Sequence, residues 1–114
     1  MAVNCEIKHG VGLVTVTGSL NAAIAESFRN QFGAWFQHQP DVKQVVLDLG
    51  GVSFMDSSGL GALLANFKRV AERGGDMALA RPQPNVKMVL EITRTNRILR
   101  VFGSVEEALR AAGG

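Results

Sequence analysis

The chain has a single cysteine, Cys5, so no internal disulfide can form, and no second Cys or His stands at metal-ligand spacing from it. No apolar run approaches the roughly 20 residues needed to cross a bilayer. Residues 1–10 alternate polar and apolar side chains without the apolar stretch of a signal peptide. These absences predict a cytoplasmic protein without direct membrane insertion, whose cysteine is a reduced strand residue. Internal repeats and low-complexity segments are absent too. With 114 residues, 46% of them hydrophobic and 19% charged, the chain can bury one continuous core and is too short for two, so residues 1–114 are expected to form one domain.

The formal charge of +2 is unevenly distributed: residues 1–56 carry three bases against five acids, and residues 57–114 carry nine bases against five acids. Arg94, Arg97 and Arg100 have no exposed aromatics between them, which predicts a solvated helix end and strand edge rather than a nucleic-acid groove. Met55, Met77 and Met88 are dispersed and read as core filler.

Apolar spacing assigns the elements. Leu13–Thr17 alternates as a strand, with Val14 and Val16 on one face and Leu13 on the other, and Asn4–Lys8 is a weaker strand. The glycines of His9-Gly10-Val11-Gly12 suit a hairpin connection between the two. From Ala22 to Gln37 the period becomes helical, with Ile24, Phe28, Phe32, Trp35 and Phe36 on neighbouring turns. Gln44–Leu49, with its unbroken Val45-Val46-Leu47, reads as a central parallel strand buried on both faces. A short apolar segment from Val52 to Met55 follows Gly50-Gly51.

Leu60, Leu63, Leu64, Phe67 and Val70 then mark the clearest amphipathic helix, stopped by Gly74-Gly75. Met77–Ala80 is a strand, and Pro84 opens a helix carrying Val86, Val89, Leu90 and Thr93 on one face. Leu99–Phe102 is the last strand, and Ser104 with Glu107 three residues later caps a final helix. The order β-β-α-β-α-β-α-β-α specifies an α/β sandwich with right-handed crossovers.

Between the central strand and the best helix, the segment Asp48 to Gly61 concentrates two acids, three serines and four glycines. Loops at the carboxyl ends of strands are where α/β proteins place their sites. Two bland roles compete there: Asp56 or Ser57 as N-cap, and Gly59 and Gly61 as points of close helix–sheet packing. A serine hydrolase is a distant alternative. Its nucleophile elbow requires glycine two residues before the serine, where Met55 precedes Ser57 and Asp56 precedes Ser58, and both His9 and His38 lie upstream. Gly59-Leu60-Gly61 lacks the third glycine of a dinucleotide loop and the Gly-Lys-Ser or Gly-Lys-Thr of a P-loop. An aspartyl-phosphate receiver would need a lysine after its last strand, and Val101-Phe102-Gly103 has none.

From Val45 to Leu64, with a strand ending Asp48-Leu49 and the run Phe54-Met55-Asp56-Ser57-Ser58-Gly59-Leu60-Gly61, the sequence resembles the phosphorylation motif of the STAS family, the small domains of bacterial anti-sigma factor antagonists. Element order and length extend the resemblance over essentially the whole chain. It implies a STAS-like α/β domain with a mixed, mostly parallel sheet and flanking helices, acting as a ligand and substrate rather than an enzyme, with no cofactor or metal of its own. It further implies that the unmodified domain binds an anti-sigma factor serine kinase and so frees a sigma factor. The kinase uses Mg-ATP to phosphorylate Ser57, and a metal-dependent serine phosphatase reverses the modification.

Asn21, Asp56, Ser57, Ser58, Gly59 and Gly61 fall at the partner surface under this resemblance. A constitutive STAS scaffold of a stress-sensing or lipid-transport complex is the alternative within the family. One departure is visible. Where the family often has Gly-Glu-Leu-Asp or Gly-Asp-Ile-Asp, this chain has Gly18-Ser19-Leu20-Asn21, keeping a side-chain oxygen at Asn21 but losing its charge. A phosphate on Ser57 would add about −1.5 to −2 charges at a helix N-terminus, where the amides of Ser58 and Gly59 are expected to tolerate it.

Overall fold

The hairpin at the start of the chain turns through only two residues, His9 and Gly10, both at positive φ (53° and 81°). This is the twist-matched turn that two-residue hairpin loops favour, and Gly10 meets its backbone requirement without a Cβ penalty. The sequence reading had spread the connection over His9–Gly12. Instead Gly12 is already in the ladder, paired with Ile7 on one side and Val45 on the other.

The computed structural model describes residues 2–113. Its elements are β1 (Ala2–Lys8), β2 (Val11–Leu20), α1 (Ala22–Gln37), β3 (Gln44–Met55), α2 (Ser57–Glu72), β4 (Asp76–Ala80), α3 (Pro84–Ile92), a 3-10 turn (Thr95–Arg97), β5 (Arg100–Phe102) and α4 (Val105–Gly113). The sheet runs β1-β2-β3-β4-β5, with β1 antiparallel to β2 and every other pairing parallel. The result is an α/β domain with a five-stranded mixed, mostly parallel sheet and four helices, as the sequence predicts.

Right-handed crossovers that step steadily in one direction put successive helices on the same face. Accordingly Phe28, Phe32 and Phe36 of α1, Leu63 and Val70 of α2, and Val86 and Leu90 of α3 share one core with Val14, Val16, Leu47 and Leu79. Burial of each large side chain there contributes roughly 1.5–3 kcal/mol. On the opposite face Ala108 of α4 packs with Val11, Leu13, Val46 and Ala80. The strand order never reverses, so the sheet lacks the switch-point crevice in which doubly wound proteins hold cofactors.

Three expectations need correction. β3 does not end at Leu49: it continues through Gly50 and Gly51 to Met55, because β2 runs beside it as far as the Leu20–Met55 pair, absorbing two register shifts. β4 accompanies it only to Asp48, opposite Ala80. The last strand starts at Arg100 rather than Leu99, after a 3-10 turn that no apolar period announces. Met88 is 59% exposed, because Val86 and Leu90 take the inner face of α3, while Met55 and Met77 are buried.

Other expected local signals are present. Ser104 Oγ accepts from the Glu107 amide (3.1 Å) and donates to its carboxylate (3.2 Å). α2 closes with the Gly75 amide on the Val70 carbonyl (3.0 Å) and the Gly74 amide on that of Ala71 (2.9 Å). The Cys5 thiol, half-buried on β1, is pushed up by burial from 9.0 to about 11. Among the described residues no helix is long and apolar enough to cross a membrane.

Candidate functional site

β2 and β3 end side by side, and each delivers a helix: Asn21 follows β2 and caps α1, and Asp56 follows β3 and caps α2. The Asn21 Oδ1 accepts from the Ala23 amide at 3.1 Å. The charge lost at this position is therefore not needed for capping, since an amide oxygen serves.

Asp56 does more than the sequence suggests. Its Oδ1 accepts from the Gly59 amide at 2.9 Å, and its Oδ2 accepts from the Ala22 amide at 3.1 Å. One carboxylate thus ties together the first turns of α1 and α2, and its own amide donates to the Leu20 carbonyl at 3.3 Å. The amide of Gly59, expected to face an incoming anion, is already engaged.

Ser57 and Ser58 follow in the first turn of α2, both exposed. The two glycines expected to serve close packing divide in role. Gly59 is buried, and a Cβ there would fall 2.0 Å from the Leu20 carbonyl oxygen, so the approach of α2 to β2 depends on it. Gly61 is exposed, and a Cβ there would meet nothing within 4 Å. It leaves a bare patch of helix backbone.

Between the N-terminal halves of α1 and α2 lies a hollow of about 400 Å³ lined by Ala22, Ala25, Glu26, Arg29, Ser58, Gly61 and Ala62. Glu26 and Arg29 escaped the sequence reading. The signal that could have found them is the i, i+3, i+4, i+7 row of Ala22, Ala25, Glu26 and Arg29, a face of α1 adjoining its phenylalanines.

Behind the serines, Asp48 is 5% exposed on β3 and takes the Arg81 guanidinium in two contacts, Nε to Oδ1 at 2.7 Å and Nη2 to Oδ2 at 3.1 Å. The Gly50 amide also donates to Oδ1, at 2.9 Å. The hydrogen bond, and then the charge, of Asp48 raise the Arg81 pKa above its ordinary value. Gln83 Nε2 donates to the Gly50 carbonyl (2.9 Å) and Asn85 Nδ2 to that of Ser53 (2.6 Å). These side chains occupy the β3 edge that β4 leaves uncovered beyond Asp48. Arg81, Gln83 and Asn85 gave no sequence signal, because their partners lie more than thirty residues away.

Both histidines lie at the other end of the sheet: His9 in the β1–β2 turn, and His38 at the C-terminus of α1 with Nδ1 2.8 Å from the Ala34 carbonyl oxygen. Neither can serve a serine at the carboxyl end of β3 as a base, which removes the hydrolase alternative. Among the described residues no three His, Cys, Asp or Glu side chains converge to hold a metal ion. Arg94 sits in a left-handed conformation (φ 59°), Arg97 in the 3-10 turn, and Arg100 on β5 with its guanidinium carbon 5.2 Å from the Phe102 ring centroid.

Comparison with known proteins agrees with this geometry. The family model described as the STAS domain matches residues 2–108. An anti-sigma F factor antagonist of Paenibacillus polymyxa is 31% identical over 111 residues, spanning 96% of this chain and 94% of its own. The solved structure of an anti-sigma-factor antagonist (STAS) domain protein from Planctomyces limnophilus superposes with a TM-score of 0.84 at 25% identity, covering 98% of both chains. The Bacillus cell fate determinant SpoIIAA, solved in its phosphorylated form, shares the fold with a TM-score of 0.72 at 24% identity, over 96% of this chain and 98% of its own.

Proposed function

The chain belongs to the STAS domain family and, within it, to the anti-sigma factor antagonists, which are non-enzymatic regulators, and on that footing we propose that its unmodified form binds an anti-sigma factor kinase and that phosphorylation of Ser57 ends the binding. The observation that carries this reading is the position of Ser57. It is exposed in the first turn of α2, directly after the residue that fastens two helices, and beside the bare backbone of Gly61.

The reaction is a phosphoryl transfer carried out by the partner. Ser57 Oγ bonds to the γ-phosphorus of Mg-ATP, the bridging bond to ADP breaks, and the hydroxyl proton leaves to a base of the kinase. A metal-dependent phosphatase hydrolyses the ester, returning the hydroxyl and free phosphate. The domain contributes an acceptor on a rigid support. The dianion, about −1.5 to −2 charges, stands next to Asp56, and docking a partner over it requires desolvating two neighbouring negative groups. Each ~1.4 kcal/mol of that cost weakens binding tenfold. Asn21, Asp56, Ser58 and Gly61 are the proposed contact surface around it, and Gly59, expected there from the sequence, is instead buried beneath it against β2.

Incubation with the cognate kinase and Mg-ATP, followed by mass-spectrometric mapping, is expected to find one phosphate, on Ser57. Ser57→Asp is expected to weaken kinase binding while Ser57→Ala leaves it intact. Phosphate mapped to another residue, or kinase binding unchanged in the aspartate variant, overturns the switch.

A further inference from the structure

Two arginines border the groove between α1 and α2 without an anionic partner. Arg29 of α1 is exposed and lines the hollow of about 400 Å³ beside Ser58, Gly61 and Ala62. Arg69 of α2, half-buried, lies across the next turn of α1, so close over Gly33 that a Cβ there would collide with its Nη1. Arg29 and Gly33 are four residues apart and share one face of α1, which brings both cations to the same groove. Among the described residues the pair of Arg81 with Asp48 is the only ion pair, so no carboxylate stands within 4 Å of either arginine. Glu26 is the acid of the lining, and the two cations outnumber it. Arg73, one turn beyond Arg69, is different: it donates to the carbonyls of Phe36, Gln39 and Val42 and so closes the end of α1. A glycine inside a helix weakens it, yet Gly33 seats a guanidinium that has nothing to bind within the domain.

We infer that this groove receives a carboxylate side chain of the anti-sigma factor, held by Arg29 and Arg69 and admitted by the small residues Ala22, Ala25, Gly61 and Ala62. The inference rests on the switch reading and adds what the partner must present, an Asp or Glu on the segment that crosses the first turns of α1 and α2. Charge selects this occupant: a guanidinium fork matches a carboxylate, and a cationic side chain would meet two like charges against one acid. The same contact gives the phosphate something to act on. Ser58 lines the hollow and Ser57 is its neighbour, so a dianion on Ser57 stands beside the seated carboxylate. Like charges brought together in an interface oppose docking, and the partner's acid is the group that the phosphate repels.

The test uses the full chain and two probes, the cognate kinase and acetate. Arg29→Glu and Arg69→Glu are each expected to weaken kinase binding at least tenfold in a titration. In Arg29→Gln the affinity is expected to fall less steeply with salt than in the wild type. Lys87→Glu makes the same change of net charge, but Lys87 lines a different hollow, with Arg81 and Phe102, and this variant is expected to bind within twofold of the wild type. In the chain alone, sodium acetate is expected to move the Arg29 and Arg69 Nε–H resonances and the Gly61 and Ala62 amides, where sodium chloride at equal ionic strength leaves them in place. Equal losses in Lys87→Glu and Arg29→Glu overturn the inference, as does kinase binding untouched by both arginine variants. Acetate and chloride spectra that coincide overturn it too. The Arg29 variants and the acetate spectra decide the matter even if Arg69→Glu does not fold. A wild-type chain that fails to bind the kinase would instead overturn the switch, while the acetate spectra still decide whether the groove takes a carboxylate.

Discussion

Arg81 and Asp48, 33 residues apart in sequence, meet in a two-point ion pair in which one partner is nearly sealed and the other half open: the Asp48 side chain is 7% exposed and that of Arg81 52%. The pair joins the loop after β4 to the point on β3 where β4 stops pairing. Its guanidinium lies so close over Gly50 that a Cβ there would fall 2.4 Å from the Arg81 Cζ.

Arg81→Ala therefore leaves Asp48 buried with only the Gly50 amide, and is expected to cost about 1–3 kcal/mol in urea unfolding. The loss stays below that of a fully buried pair because water reaches the guanidinium. Arg81→Lys recovers less than half of it, lacking the fork that makes both contacts. Gly50→Ala is expected to destabilise comparably by pushing the guanidinium off its seat, and an unchanged unfolding midpoint in that variant would show that the pair does not hold this strand.

Gly59 and Gly61 separate structure from function. Gly59→Ala drives a methyl into the Leu20 carbonyl oxygen and is expected to cost about 2 kcal/mol or more, or to prevent folding. Gly61→Ala meets nothing and is expected to stabilise α2 by up to ~1 kcal/mol through helix propensity. Gly61→Trp is expected to fold with the wild-type circular dichroism spectrum but to weaken kinase binding at least tenfold. Thermal melts and a binding titration distinguish the three.

Asn66 of α2 is fully buried, and neither its amide nitrogen nor its oxygen has a hydrogen-bond partner among the described residues. Asn66→Leu, which keeps the branched outline with bulkier methyl ends, is expected to raise stability by about 1–3 kcal/mol by removing that desolvation cost. A lower melting temperature in the leucine variant would refute this.

Burial lifts the Cys5 thiol to about 11 from 9.0, so the folded state holds the proton more tightly than the unfolded chain does. The sign follows: Cys5 has no effect on stability below about pH 9, and stability falls as pH rises from there toward 11. Cys5→Ser is expected to flatten that decline in a pH series of urea titrations. At pH 8 the native thiol is expected to react with iodoacetamide more slowly than the urea-unfolded chain, as its low thiolate fraction requires.

The element order was legible because each helix and most strands carry their own period: the phenylalanines of α1, the leucines of α2 and the alternation of β2 report burial directly. What escaped depends on partners distant in the chain. β3 runs through Gly50-Gly51 because β2 lies alongside to pair with it, which no local propensity records. Met88 looks like any core methionine until the orientation of α3 is known. At the site, the run from Asp56 to Gly61 stood out through its resemblance to a known motif, and Asp56 was legible as a cap. Its second bond, to the amide of Ala22, was not, because it depends on two strands ending side by side.

The strand that outruns its neighbour has one more consequence. Past Asp48, β3 projects as a braced pier, steadied by β2 on one flank and by Gln83 and Asn85 on the other. A visitor landing on its tip finds footing that is already stiff, so the entropy lost on docking is charged to the visitor's own loops. Under the proposed switch, tightness among rival partners should then track how ordered each one's landing segment is before contact, more than any adjustment by this small host.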